Sequence, residues 1–275
     1  MRLAVMGCAG RMGRANLAAA FGATGVDVVA GIETTGHPAI GTDLGLLAGG
    51  EPRGVTVSDD AATALGQADA AIDFTSPAAT RAHADLAVVH GCALVIGTTG
   101  LDASDLEALD RAAAKVAMVV APNMSRGVNL LLELTEVVAR ALDASFDVEI
   151  VELHHGRKVD APSGTALALG EAAAKGRGVA LDDVAERGRD GLTGPREAGR
   201  IGFAALRGGD AVGDHTVLFA GPGERLELTH RAGDRGIYAH GALQAAFWLQ
   251  DRAPGRYGMA DVLGLRPPAD HRSAR

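Results

Sequence analysis

The 275-residue sequence is poor in cysteine, with only Cys8 and Cys92, which lie far apart. Two distant thiols make no disulfide framework and suit a reducing compartment. Runs of apolar residues are short. None approaches the ~18 that a membrane span needs, so no membrane is expected. At the start, Leu3–Met6 is too brief for an export signal and Gly10–Arg14 is polar and basic. A cytoplasmic protein is expected. Positive charge is not in excess either. The formal net charge is −8, which argues against a nucleic-acid surface but not against an anionic small molecule held by a few local cations.

Aromatic residues amount to 3 %, whereas hydrophobic residues make up 47 % and glycine numbers 38. Small apolar residues in quantity suit helices lying close on a sheet. The length fits one large domain or two ordinary ones.

Short apolar runs alternate with helical patterns through the first half. Strands are expected at Arg2–Met6, Val26–Ile32, Ala70–Phe74, Ala93–Ile96 and Val116–Val120, with helices at Arg14–Phe21, Pro77–Val89 and Leu101–Ala114. That alternation predicts an α/β domain with a Rossmann-type, doubly wound parallel sheet. After Pro122 the pattern changes. Helices at Asn129–Leu142 and Pro162–Lys175 accompany strands at Phe146–Leu153, Arg200–Leu206, His215–Ala220 and Arg225–Thr229. Consecutive strands predict a second α+β domain with a mixed or antiparallel sheet. Gly176–Gly199 reads as a long exposed loop, Gly241–Gln250 as a closing helix and Arg266–Arg275 as a loose tail. The expected division is residues 1–124 completed by 236–275, with 125–235 forming the second domain.

Gly7, Gly10 and Gly13 fall between the first strand and the first helix, where a turn must let backbone approach a pyrophosphate. The spacing is G-x-x-G-x-x-G, with Ala9 where a glycine is usual, so the motif alone is weak. Glu33 strengthens it, since an acid at the end of the second strand can bind an adenosine ribose. A second glycine turn, Gly97-Thr98-Thr99-Gly100, follows another strand and reads equally well as a nicotinamide-side contact or as a simple turn.

The most informative stretch is ELHHGRKVDAPSGTA, residues 152–166. It gathers His154, His155, Arg157 and Lys158 in one loop and enters a helix through Ser163, its expected N-cap. Histidine suits proton transfer near neutral pH, and the Gly164 and Thr165 amides offer a carboxylate cradle. A solvated basic surface is the competing reading. A metal half-site lacks a third ligand of normal spacing, and no metal is expected. His37, His83, His90 and His271 read as surface, His215 and His230 as structural, and His240 is undecided.

Together with GCAGRMGR, DFTSP, IGTTG, PNMSRGVN, GRIGF, VGDHTVLF and ERLELTHRA, this loop resembles the dihydrodipicolinate reductase (4-hydroxy-tetrahydrodipicolinate reductase) family over nearly the whole chain. The resemblance implies an NAD(P)H-dependent oxidoreductase of lysine and diaminopimelate biosynthesis, a homotetramer joined through its second domain. It implies that Gly7, Cys8, Ala9, Gly10, Arg11 and Met12 hold the cofactor pyrophosphate and Glu33 its ribose. Gly97, Thr98 and Thr99, with Ala121, Pro122, Asn123 and Met124, would meet the nicotinamide end. His154 would be the acid/base, Lys158 the proton donor, and His155, Gly164 and Thr165 the ligands of a cyclic dicarboxylate.

Two departures stand out. Thr34 and Thr35 follow Glu33 where many relatives have an arginine that favours the NADPH 2′-phosphate. NADH is therefore expected to be accepted well, although Arg11 leaves dual use open. Met124 stands where an aromatic residue is common. Two other classes stay in view. A Rossmann dehydrogenase acting on an amino acid leaves the HHGRKVDAPSGTA loop unexplained, and an NADH sensor without turnover has no use for His154 and Lys158.

Overall fold

A computed structural model describes residues 1–265, and Arg266–Arg275, expected to be a tail, lies outside them together with His271. Contacts divide the chain into one unit of Met1–Arg126 with the segment from Arg235 onward, and another of Gly127–Asp234.

The first unit begins with β1 (Arg2–Met6), α1 (Arg11–Phe21), β2 (Asp27–Ile32), α2 (Leu44–Leu47), β3 (Val57–Ser58) and α3 (Ala61–Gln67). It continues with β4 (Ala70–Asp73), α4 (Pro77–His90), β5 (Ala93–Ile96), α5 (Ala103–Ala113) and β6 (Ala117–Val120). The local chemistry sets the ends. Ser76 accepts from the Ala79 amide ahead of Pro77 and starts α4, which Gly91 closes in the left-handed conformation at φ 71°. Asp102 and Asp105 form a capping box on α5.

In the second unit α6 (Arg126–Ala141), β7 (Asp147–His154), α7 (Gly164–Arg177), α8 (Leu181–Val184) and β8 (Ala185–Glu186) precede β9 (Ile201–Arg207), β10 (Asp214–Gly221) and β11 (Glu224–Arg231). The chain then returns to the first unit as α9 (Gly236–Leu249), β12 (Gly255–Tyr257) and α10 (Met259–Val262).

The first sheet is parallel, in the order β12-β6-β5-β4-β1-β2-β3. Its strands are short and apolar because both faces are covered. Leu3, Val5, Ile72 and Val95 belong to the cluster that α1 and α9 help close, and Ala4, Met6, Leu94 and Ile96 to the cluster beneath α3, α4 and α5. Strand order reverses between β1 and β4, and ligands of such sheets bind at the carboxyl ends beside that point.

The second sheet runs β11-β10-β7-β9-β8. β10 is antiparallel to both its neighbours, while β9 is parallel to β7 and β8. Strand β7 alternates strictly. Val148, Ile150, Glu152 and His154 are buried while Asp147, Glu149, Val151 and Leu153 are half-exposed, so the first four share the face packed on α6 and α7.

Several boundaries differ from the sequence reading. Helix α1 starts at Arg11, so Gly13 lies within it, and α9 begins at Gly236, five residues before Gly241. The loop read at 176–199 contains α8 and β8 and is strapped down. Arg189 binds Glu149 at 2.8 Å, and Arg196 reaches Glu149 at 2.9 Å and Asp147 at 2.7 Å. Burial opposes the Glu149 charge, yet the two arginines outweigh it and hold the carboxyl below the usual range.

Candidate active site

At the carboxyl edge of the first sheet, Gly7 turns the chain at φ 64°, and a Cβ there would stand 2.8 Å from the Thr75 side chain. A Cβ on Gly13 would lie 2.1 Å from the Gly7 carbonyl, so only glycine lets α1 press onto the loop. Gly10 caps α1 without a side-chain bond, and the Arg11, Met12 and Gly13 amides precede the first helical bond, from Arg14 to Gly10. The Ala9 amide donates to Glu33 Oε1 at 2.8 Å, and Arg14 Nε donates to the Ala9 carbonyl at 2.9 Å. Arg14 thus pins the loop, a role that sequence reading did not assign. Arg11, Thr34 and Thr35 are exposed.

This edge fits a dinucleotide. Its loop is one that side chains would fill, a helix of 11 residues opens behind it, and a carboxylate stands at the end of β2. Some of the residues expected there turn their side chains into the fold and leave only backbone toward this edge. The Cys8 amide is donated to Ile32, and its thiol is pushed up to about 12 by burial and then by Glu33. Thr98 is 4 % exposed, and its hydroxyl meets Thr80 at 2.8 Å and accepts from the Thr75 amide at 3.1 Å. Met124 is fully buried in the first sheet's core and Ala121 nearly so. Through their side chains Cys8, Thr98, Ala121 and Met124 therefore reach no open surface. Thr99 and Pro122 are exposed, and Asn123, half-buried, accepts from the Ser125 amide at 2.8 Å.

Gly97 is required because a Cβ would enter the Phe74 ring at 2.3 Å. Beneath this turn, buried Asp73 accepts from the Thr75 hydroxyl at 2.6 Å and meets His83 Nδ1 at 2.8 Å. His83 is therefore not the surface residue expected. Its ring is turned inward by a buried carboxylate that helical periodicity could not reveal.

In the second unit, the face of β7 that is apolar at Val148 and Ile150 becomes chemical at its end. Glu152 Oε2 meets His154 Nδ1 at 2.5 Å and accepts from Arg207 at 2.8 Å. Its Oε1 accepts from Arg207 at 2.9 Å and from the Ser163 amide at 3.2 Å. Burial opposes the charge on Glu152, but the bonds from Arg207 and His154 outweigh it and hold the carboxyl below the usual range. Because Nδ1 faces this carboxylate, it carries a proton, and exchange falls to Nε2. A Cβ on Gly213 would stand 2.9 Å from Nε2, so the VGDHT glycine keeps that atom uncovered.

His215 lies directly across from Glu152 on β10. Its Nε2 meets Ser163 Oγ at 3.0 Å, and its ring stands edge-on to His154 at 5.1 Å. Burial, helped by His154, pushes His215 down to about 4, so it is neutral at pH 7. Ser163 Oγ also accepts from the Ala166 amide and caps α7 as expected. The first turn of α7 contains no acidic residue, and a Cβ on Gly164 would meet open space. Lys158 Nζ binds both Asp160 oxygens at 2.8 Å. His155 is half-buried, with its amide donated to Ala211. Among the described residues no group of three His, Cys, Asp or Glu is placed to hold a metal ion, and no helix is long and apolar enough to cross a membrane.

Glu152, Arg207 and the Ser163–His215 contact were missed as site components. The E-L-H spacing puts Glu152 and His154 on one strand face, a readable signal; Arg207 comes from β9 and gives none.

The family model described as "Dihydrodipicolinate reductase, N-terminus" matches residues 1–124, and "Dihydrodipicolinate reductase, C-terminus" matches 127–263. A 4-hydroxy-tetrahydrodipicolinate reductase of Roseobacter denitrificans is 56 % identical over 97 % of this chain and 98 % of its own. One from Dinoroseobacter shibae is 57 % identical over 96 % and 98 %. Among solved structures, a dipicolinate-bound dihydrodipicolinate reductase from Paenisporosarcina sp. TG-14 shares the fold with TM-score 0.75 at 23 % identity, over 95 % of this chain and 98 % of that one. Both halves match in order and without a large gap, so the chain belongs to the dihydrodipicolinate reductase family.

Proposed function

We infer that His154 is the acid/base and Lys158 the proton donor of a reductase whose substrate carboxylates rest on Gly164 and Thr165, with His155 beside them. The enzyme is a nicotinamide-dependent oxidoreductase that reduces 4-hydroxy-tetrahydrodipicolinate on the route to diaminopimelate and lysine. The observation that carries the residue assignment is the cluster at the end of β7. A carboxylate-held histidine and a lysine accompany a capped helix N-terminus that has no acid of its own.

The nicotinamide supplies a hydride when bound, and the protein must deliver one proton and hold two carboxylates. The α7 amides and helix dipole stabilise one carboxylate. Lys158, bound to the exposed carboxylate of Asp160, can leave that partner to donate the balancing proton, with His155 beside the other carboxylate. Nε2 of His154 then gives or takes the proton, with Glu152 opposing the positive charge of the ring.

At the other edge, Gly7–Met12 would cradle the pyrophosphate and Glu33 bind the adenosine ribose, with Gly97, Thr99 and residues 121–124 toward the nicotinamide. The Glu33 charge would stand near a 2′-phosphate, a like-charge repulsion of about 1–4 kcal/mol at close range. NADH is therefore the preferred donor. The reading includes a cytoplasmic homotetramer joined through the second unit, where Leu206 is 52 % exposed on the sheet face away from the helices.

Absorbance at about 340 nm, with substrate generated in place from pyruvate and aspartate semialdehyde by a synthase, tests this. Synthase-dependent oxidation of NADH is expected. His154→Ala or Lys158→Ala should lower kcat by about 10²-fold or more with NADH binding intact. Unchanged kcat in both variants would move the proton donor elsewhere.

A further inference from the structure

We propose that Glu152 is the positioning residue of this active site, one carboxylate that fixes the His154 ring and the first turn of α7 in a common frame. The proposal rests on the reading of His154 and of the Gly164–Thr165 cradle given above, and deepens it.

A carboxylate offers about four acceptor positions on two oxygens. In Glu152 four contacts fill them. Oε2 takes His154 Nδ1 and Arg207 Nη1, and Oε1 takes Arg207 Nη2 and the Ser163 amide. The side chain is 1 % exposed. Saturated and buried, it has no position left for substrate, so it acts through the groups it holds. One oxygen orients the proton-transfer residue and the other orients the turn that would bind a carboxylate. Arg207 fastens the arrangement further by donating to the Asp160 carbonyl at 2.7 Å, in the loop that carries Lys158.

The architecture explains why one residue can do this. Glu152 and His154 are two apart on β7 and share a face. His154 pairs with Arg207 in the parallel ladder, so Arg207 lies diagonally across from Glu152, within reach of a long side chain. His215, opposite Glu152 on β10, holds Ser163 from its other side through the hydroxyl. The charged and titratable groups around the His154 ring are thus Glu152 on its own strand, Arg207 on β9 at the same carboxylate oxygen, and His215 on β10, with Lys158 in the following loop close enough to act on His215. Glu152 is the anion among them that touches the ring.

An amide cannot replace this carboxylate. An NH2 at the Oε1 position faces two donors, Arg207 and the Ser163 amide, and loses both bonds; at the Oε2 position it loses the Arg207 bond and keeps His154 only if the ring gives up its Nδ1 proton. The test is full kinetics on Glu152→Gln and Glu152→Asp beside His154→Ala, with NADH affinity measured separately. In Glu152→Gln kcat should fall about 10²-fold and the substrate KM rise about tenfold, with the NADH Kd unchanged. Removing the carboxylate that touches the ring should also move the alkaline limb of the kcat/KM profile to lower pH. Glu152→Asp keeps the charge but withdraws it by a methylene, so it should keep the wild-type pH limb with reduced kcat. It decides the matter should the glutamine variant fail to fold.

The double variant His154→Ala/Glu152→Gln should lose no more in kcat than His154→Ala alone, while its KM still rises. Wild-type kcat, KM and pH profile in a folded Glu152→Gln or Glu152→Asp protein would overturn the proposal. Should His154→Ala itself keep full activity, the acid/base assignment falls, and the KM of Glu152→Gln still reports whether the α7 turn depends on Glu152.

Discussion

Lowering the pH from 7 to 5 should weaken the second unit through His215. This ring is 3 % exposed and faces His154 edge-on. Burial, with His154 adding to it, holds it at about 4, against about 6.5 in an unfolded chain. Between those values the unfolded chain binds the proton that the folded one refuses, so stability rises with pH. The contribution is complete above about pH 6.5 and lost as the pH falls toward 4. Linkage converts the gap to about 3 kcal/mol in full and about 2 kcal/mol between pH 7 and pH 5. Hydrogen exchange of the β10 amides, followed in a urea series at both pH values, reads this locally. The comparison is His215→Gln, whose amide keeps a polar atom within reach of Ser163 but does not titrate. Wild type should lose about 2 kcal/mol more than the variant over that interval. Equal losses would mean that His215 protonates as readily in the fold as outside it, and the account of its burial would be wrong.

Burial pushes both Cys8 and Cys92 up to about 12, so a thiol-specific disulfide reagent at pH 8 should label neither until urea is added; mass spectrometry showing either labelled at the rate of a free thiol would contradict the packing. Arg207→Ala strands the Glu152 charge and should destabilise the second unit by about 3–5 kcal/mol in the same exchange assay, with Glu152→Gln recovering part of the loss. Gly13→Ala drives a methyl toward the Gly7 carbonyl, 2.1 Å away, and should weaken NADH binding at least about tenfold by calorimetry while β10 exchange stays unchanged. Glu33→Gln should raise kcat/KM for NADPH by about tenfold, which the 340 nm assay measures directly.

The sequence displays what local chemistry controls. Continuous apolar runs such as Leu3–Met6 and Leu94–Ile96 announce strands covered on both sides, and Ser163 ahead of Gly164 announces a helix start. The second sheet is legible because β10 and β11 flank a short turn with Gly223 at φ 83°. Other elements exist only by tertiary consent. β12 is three residues with exposed Arg256 at its centre, recruited by pairing with β6. β3 has two residues, and α2 is held by Asp43, which caps it and also binds the Arg53 and Gly54 amides. The same holds at the site. His154 and Lys158 stand out by residue type, and Glu152 is readable from the strand period. Arg207 depends on a partner 55 residues back in the chain, and the inward turn of His83 on Asp73, which sits ten residues back on a strand rather than on the helix of His83.

The discontinuity of the first unit bears on how the protein is made. Helix α9 gives Ala242, Leu243, Ala245, Ala246 and Leu249 to the core under the parallel sheet, and β12 pairs with β6 at its edge. A ribosome adding about 5–20 residues per second releases the whole of Gly127–Asp234 before either segment appears. The second unit is contiguous and can close on itself as it emerges. The first must wait with the part of one sheet face that α9 covers still open. For that interval β6 is an open edge beside exposed apolar surface, the condition in which a nascent chain relies on chaperones. The segment from Gly236 to Val262 thus completes the unit that β1 to β6 begin.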